Sequence, residues 1–246
     1  MELKIKNFSE ENIIKNPKGK VHLNDFSYNP NYSELKKTKN VADEVKNTFY
    51  YIDKDGRKYI KLEKEGEKQL FISRLLKGII PIADVFEKDG RYFSKVTDKE
   101  IKKFKTRKFE SLLLDKYFLD IVFSDRDHSI RGEHNVLTRK KNGVPDAVIF
   151  FDFDLAEIGG EFLTYYLKNK EVDIKILRKK IKLLEDRVSD LIFWNSINPG
   201  FSKEEMVNIR KKMLREIRWL KILMYQESFV RYINNIKKNI SKKIWK

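Results

Sequence analysis

Two runs rich in aromatic and β-branched residues, 48–52 and 57–62, flank Asp53-Lys54-Asp55-Gly56. Asp-Gly directly before such a run predicts a β-hairpin. A helix is expected over about 65–77, where Leu70, Phe71, Arg74 and Leu75 recur at helical spacing and Gly78 stands ready as a C-cap. A second hairpin follows, 82–86 and 91–96 around the turn 87–90. Beyond Asp98 the pattern becomes helical. A short helix is expected at 99–105 and a strongly apolar one at 109–123, carrying Leu112, Leu113, Phe118, Leu119 and Val122. Residues 135–138 and 147–151 read as short strands around Lys140-Lys141-Asn142-Gly143. The remainder is expected to be helical: 161–168, a long helix over 173–194 with Ile174, Leu177, Ile181, Leu184, Val188 and Leu191 in a stripe, then a break at Asn198-Pro199-Gly200. Ser202-Lys203-Glu204-Glu205 is a capping box opening a last helix pair, with Met206, Ile209, Met213, Ile217, Leu220 and Leu223 on one face.

This order implies an α+β fold. An irregular N-terminal arm, with room for one short strand or helix, is expected over 1–45, where Asn16-Pro17-Lys18-Gly19 and Tyr28-Asn29-Pro30-Asn31 are turn signals. A small β-rich part spans 46–98 and a mostly helical part 99–246. No internal repeat is present, and the long stripes suit bundle packing better than a coiled coil.

Composition changes this picture in two ways. The chain of 246 residues is 41% apolar, enough for a real core, and contains no cysteine. Disulfides, thiolate metal sites and a cysteine nucleophile are therefore excluded. The N-terminal residues lack the apolar stretch of a signal peptide, and no run approaches the roughly 18 apolar residues of a membrane span. A cytoplasmic protein is expected. The net charge of +16 points to an anionic partner, with nucleic acid, a membrane surface, an acidic protein and a polyphosphate all open. The bland reading is compositional, since the lysines are scattered rather than blocked.

Two stretches carry candidate chemistry. The first runs from Phe123 to Leu137 and holds Asp125, Asp127, His128, His134 and Asn135; the second, 148–154, places Asp152 and Asp154 at the end of an apolar strand. Phosphoryl transfer needs a lysine for phosphates, oxygen ligands for magnesium and a carboxylate to orient the attacking hydroxyl. The chain supplies these in order: Lys61 in a hairpin strand, Glu65 and Glu67 opening the next helix, an aspartate in the loop after an apolar helix, then Asn135 and Asp152.

That order resembles the atypical branches of the protein-kinase-like superfamily. Asp125-Arg126, then Asn135-Val136-Leu137, then the run ending Asp152-Phe153-Asp154 is similar to phosphoinositide kinases. The long gap before Asn135, the His134-Asn135 pair and the Asp-x-Asp ending resemble CotH-type kinases. Residues 55–61 and Gly78-Ile79-Ile80-Pro81-Ile82 resemble HipA-type serine/threonine kinases. The resemblance covers about 45–160 and implies a two-lobed protein-kinase-like fold, with 46–98 as N-lobe and 99–246 as C-lobe. It also implies ATP and magnesium (Mg2+) as cofactors. Lys61 would contact phosphates and pair with Glu67 or Glu65. Asp127 or Asp125 would be the catalytic carboxylate, and Asn135, Asp152 and Asp154 would serve the metal. The implied activity is phosphoryl transfer to a hydroxyl, on a protein Ser/Thr first and on a lipid or small molecule next.

Other readings stand beside this one. Lys61 read alone is an exposed strand residue, Asp125 and Asp127 a solvated turn, and Asn135 a turn-capping amide. A pseudokinase or a basic binding module would use the same fold without turnover. A metal-dependent nuclease would need Glu157 or Glu161 near Asp152. His128 and His134 with the aspartates would form a zinc site, for which two histidines six apart in a loop are a weak signal. Trp194, Trp219, Arg215, Arg218 and Tyr225 suit a nucleic-acid surface, although the tryptophans at helical spacing are read as core.

Overall fold

The computed structural model of the protein describes residues 35–43, 48–62, 65–95, 101–102, 104, 106–125, 127–196 and 201–244. Most of the expected N-terminal arm, most of the helix expected at 99–105 and the Asn198-Pro199-Gly200 break lie outside the described residues.

The architecture is α+β with small antiparallel sheets. Strands β1 (Lys36–Asp43), β2 (Thr48–Ile52), β3 (Lys58–Leu62), β4 (Val85–Lys88) and β5 (Arg91–Lys95) form one sheet in the order β1-β2-β3-β5-β4. The first predicted turn is built on Asp53. Its carboxylate accepts the amides of Asp55 and Arg57, both at 2.9 Å, and the Tyr59 hydroxyl at 2.8 Å. The β4–β5 turn is the two-residue loop Asp89–Gly90, both residues with positive φ, which matches the strand twist. Strand β4 starts at Val85 rather than at the expected Ile82. Ile82 instead bridges Phe150, and the Ala83 amide donates to the Phe150 carbonyl at 2.8 Å. Strands β6 (Val136–Lys141) and β7 (Val144–Phe150) form a separate two-stranded sheet around Asn142–Gly143.

Helix α1 (Gly66–Leu76) and helix α2 (Phe109–Phe123) occupy the predicted places. Three helical expectations need correction. The segment expected to be helical from 161 is a 3-10 turn over Thr164–Lys168, because the preceding backbone is tied down sideways: the Leu163 amide donates to the Ile121 carbonyl at 2.9 Å. The long helix over 173–194 is two, α3 (Ile174–Ser189) and α4 (Leu191–Ser196). Asp190 breaks it, since its Oδ1 accepts the amides of Ile192 and Phe193 and caps a new start. Leu191, expected in the buried stripe, is exposed in consequence. The last helix pair is one helix, α5 (Lys203–Ile244), whose span contains no glycine or proline to interrupt it. Its capping box is reciprocal: the Ser202 amide donates to Glu205 Oε2 at 2.7 Å and the Glu205 amide to Ser202 Oγ at 3.2 Å.

The main core joins α1 (Phe71, Leu75), α2 (Leu112, Phe118), α3 (Leu177, Leu184) and α5 (Met213, Ile217). Trp194 is buried in it, as expected, but Trp219 is exposed. Buried charges lock the same elements together. Asp115 on α2 is fully buried, with Lys180 of α3 at 2.6 Å and Arg107 at 2.6 Å. Arg187 of α3 donates to the carbonyls of Leu75 (2.6 Å) and Lys77 (2.7 Å), closing the C-terminal end of α1. The β-rich front half is thus fastened to the helical body through α1.

Candidate active site

Helix α2 ends at Ser124, whose left-handed backbone turns the chain sharply. The next residues form a network rather than a solvated turn. Asp125 is almost wholly buried, with Oδ2 2.6 Å from His128 Nδ1, a close approach whose angle falls outside good hydrogen-bond geometry. Its Oδ1 accepts the Asp127 amide at 3.1 Å, and its carbonyl accepts Lys116 Nζ at 2.7 Å. Lys116 also pairs with Asp120 one turn further along α2. His128 Nε2 lies 2.6 Å from the Phe151 carbonyl, and its ring packs against Phe150 and Phe153. Asp125 and His128 therefore bolt the loop to the end of β7.

The electrostatics of the two buried carboxylates oppose each other. Burial pushes Asp125 up, but the His128 ring, Lys116 and the Asp127 amide together outweigh it and hold the group below the ordinary carboxylate range. Burial pushes Asp120 up to about 6, Lys116 offsetting only part of the effect. A carboxyl raised in the folded state stabilises fully below its unfolded value, and that contribution is lost as pH rises through the folded value. Asp120→Asn removes this loss. The melting temperature of the variant relative to the parent should climb between about pH 4 and pH 6. A difference that stays flat across that window, in thermal melts at closely spaced pH, would refute the assignment.

Asp127 is the accessible one of the two loop aspartates, its side chain 25% exposed. Its Oδ2 accepts the Asn135 side-chain amide, while its carbonyl meets His134 Nδ1 at 2.7 Å. The loop is closed by mutual backbone bonds between Ser129 and His134, at 3.0 and 3.1 Å. Asn135 has a positive φ, and its carbonyl accepts the Phe151 amide at 3.2 Å. That bond sets the Asp127–Asn135 pair beside Asp152, the next residue, whose backbone is also left-handed. Gln69 of α1 completes the junction. Its Nε2 donates to Asp152 Oδ1 at 3.1 Å, and its Oε1 accepts the Phe153 amide at 3.2 Å.

The structure thus brings together Asp127, Asn135 and Asp152, with Asp125 behind them. Asp154 follows at the junction, where its carbonyl accepts Lys68 Nζ at 2.5 Å. Lys61 stands on β3, half-buried and opposite Phe93 in the neighbouring β5. Of the two glutamates expected to pair with it, Glu65 pairs with Lys68, and Glu67 is an exposed residue hydrogen-bonded to Tyr92. In place of either glutamate, the neutral Gln69 is the α1 side chain hydrogen-bonded to the Asp152 carboxylate. Helix α1 approaches β5 so closely at Gly66 that a Cβ there would collide with the Tyr92 side chain, which leaves glycine alone compatible with this packing. The two histidines serve different partners, and among the described residues no three His, Asp or Glu side chains group as a metal shell. Glu157 and Glu161 are exposed.

Sequence reasoning missed Gln69, Lys116 and the bridging role of His128. Gln69 leaves one trace, a polar residue opening the otherwise apolar run Leu70-Phe71-Ile72. A cleft of about 450 Å³ opens elsewhere, between residues 77–84, Phe104, Arg107 and Ile149. It holds none of the candidate residues, and its charges are already paired, Lys77 with Asp84 and Arg107 with Asp115. No protein-family model matches this chain, and no curated protein matches it. Among the described residues no helix is long and apolar enough to cross a membrane.

Proposed function

We propose that the protein is an ATP- and magnesium-dependent phosphotransferase of two-lobed, kinase-like design that acts on a hydroxyl, with a protein serine or threonine as first candidate acceptor. The observation that carries this reading is the Asp127–Asn135 pair, tied through the Phe151 amide to the strand end that bears Asp152. Asp127 is the carboxylate that can reach a substrate, since Asp125 is sealed inside. Asp127 would hold the acceptor hydroxyl and take its proton. Asn135 spends its Nδ2 on Asp127 and so presents Oδ1. Gln69 fixes Asp152 by one oxygen. An amide oxygen and a carboxylate are the hard donors that magnesium takes from protein, so Asn135 and Asp152 would hold it, with Asp154 beside them. Magnesium, when bound, would neutralise charge on the phosphate oxygens. Lys61 on β3 would contact the phosphates. A cytoplasmic setting belongs to the same proposal.

The test is a melting assay with ATP, with and without magnesium, on the parent and on Asp152→Asn. Ligand at about a hundredfold over Kd stabilises a protein by about 2.7 kcal/mol. The parent should show a magnesium-dependent rise in melting temperature, and Asp152→Asn should lose it. Labelled phosphate from the γ position should pass to an added protein substrate with the parent alone. Nucleotide binding without transfer would point to a pseudokinase. No magnesium-dependent shift at all would end the reading.

A further inference from the structure

Helix α5 is apolar on two sides. Its inner side carries Met213, Ile217, Leu220 and Met224, all fully buried. Its outer side carries Trp219, Ile222, Tyr225, Phe229, Tyr232 and Ile236, at helical spacing along five turns. Phe229 is 65% exposed and Trp219 53% exposed. All six are exposed, and the contact that Arg178 of α3 makes with this face falls at its margin, on Tyr225. A helix with one apolar face has a body to lie on; a helix with two is made for a second apolar contact.

The charges say what that contact is. From Met206 to Ile244 the sequence holds eleven lysines and arginines against two acids. Both acids are already engaged by neighbouring arginines, Glu216 by Arg215 and Glu227 by Arg231. The apolar stripe is preceded by Lys211, Arg215 and Arg218, all exposed, and the sequence continues into Lys237, Lys238, Lys242 and Lys243. Pairing with a second copy would set cations against cations whether the helices ran parallel or antiparallel. An anionic, apolar surface meets no such penalty. Aliphatic Ile222, Val230 and Ile236 lie among the aromatics and give nucleobases nothing to stack on. Trp219, Tyr225 and Tyr232 combine an apolar ring with a polar edge, the type that settles at a membrane interface.

We propose that the outer face of α5 docks the protein on an anionic phospholipid surface. The helix lies in the plane of the interface, with its stripe among the upper acyl chains and its lysines and arginines at the head groups. Arg178 of α3, whose guanidinium stands 4.2 Å over the Tyr225 ring, stiffens the inner margin of this face. The inference does not depend on the phosphotransferase reading and uses none of its residues.

The experiment uses the full chain with vesicles of phosphatidylcholine alone, or of phosphatidylcholine with about a third phosphatidylserine. Flotation and tryptophan emission report binding. The parent should bind the anionic vesicles at least about tenfold more tightly than the neutral ones. The double variant Ile222→Ser/Phe229→Ser should bind them at least about tenfold more weakly while melting like the parent, because both side chains face solvent. The tryptophan emission of the parent should shift to shorter wavelength only with anionic vesicles, and Trp219→Phe should remove most of that shift. Equal binding by parent and double variant would mean charge alone and would overturn the proposal. So would absence of vesicle binding, or a parent dimer that the double variant abolishes. Single-stranded RNA binding weakened by the double variant, with vesicle binding unaffected, would assign the face to nucleic acid instead. A double variant that melts well below the parent would show the face to be covered within the chain, which also overturns it.

Discussion

Asp115→Ala should destabilise the protein by about 3–5 kcal/mol, a large share of the stability of an ordinary domain. The carboxylate is fully buried and faces two cations, Lys180 of α3 and Arg107, each at 2.6 Å. Burial pushes its proton affinity up while both cations pull it down. Removing it leaves Lys180 in the interior, where, among the described residues, the ammonium keeps the Ile79 carbonyl at 2.9 Å. The loss comes mainly from that stranded charge and not from the worth of the pair itself. A urea midpoint lowered in Asp115→Ala and largely restored in Asp115→Ala/Lys180→Met would fit the account. Equal midpoints for Asp115→Ala and the parent would refute it.

Asp127→Asn should lower phosphoryl transfer by about 10²–10⁴-fold, the range that a positioned acid or base contributes. The new side chain keeps an oxygen to accept from Asn135, so the loop is expected to hold its shape and the melting temperature to stay close to the parent's. Asp125→Asn should behave differently. Asp125 is sealed beside His128 and supports both the Asp127 amide and the Phe151 carbonyl through that ring. Its loss should lower stability and activity together. Turnover alone cannot separate the two aspartates; turnover read with a melting curve can. If Asp127→Asn retains full turnover, the assignment of the reaching carboxylate fails.

Much of the fold was legible because its signals are local. Asp-Gly and Asn-Gly turns need positive φ at neighbouring positions, and Asp89–Gly90 and Asn142–Gly143 both have it. The apolar run of α2 is long enough to exclude a strand. Capping at Ser202 is written within four residues. What sequence left dark was set by distant partners. Asp190 reads as one more polar residue in a helical stripe until its side chain turns to cap α4. Gln69 gains its meaning only from Asp152, 83 positions away. Asp125 and Asp127 look interchangeable, and only burial separates them. The outer face of α5 was half visible: the tryptophans were expected in the core, and the sequence did not say that the inner stripe already filled it.

Gln69 has one more consequence. A carboxylate or an imidazole in its place would tighten or release the strand end as acidity changed. An amide has no proton to gain or lose, and both of its ends are committed, one to Asp152 and one to the Phe153 amide. The aim of Asp152 is therefore set by a latch that is silent to acidity. An acid response carried by the scaffold behind the aspartates comes instead from the opposite side, through Asp120, Lys116 and the loop they support.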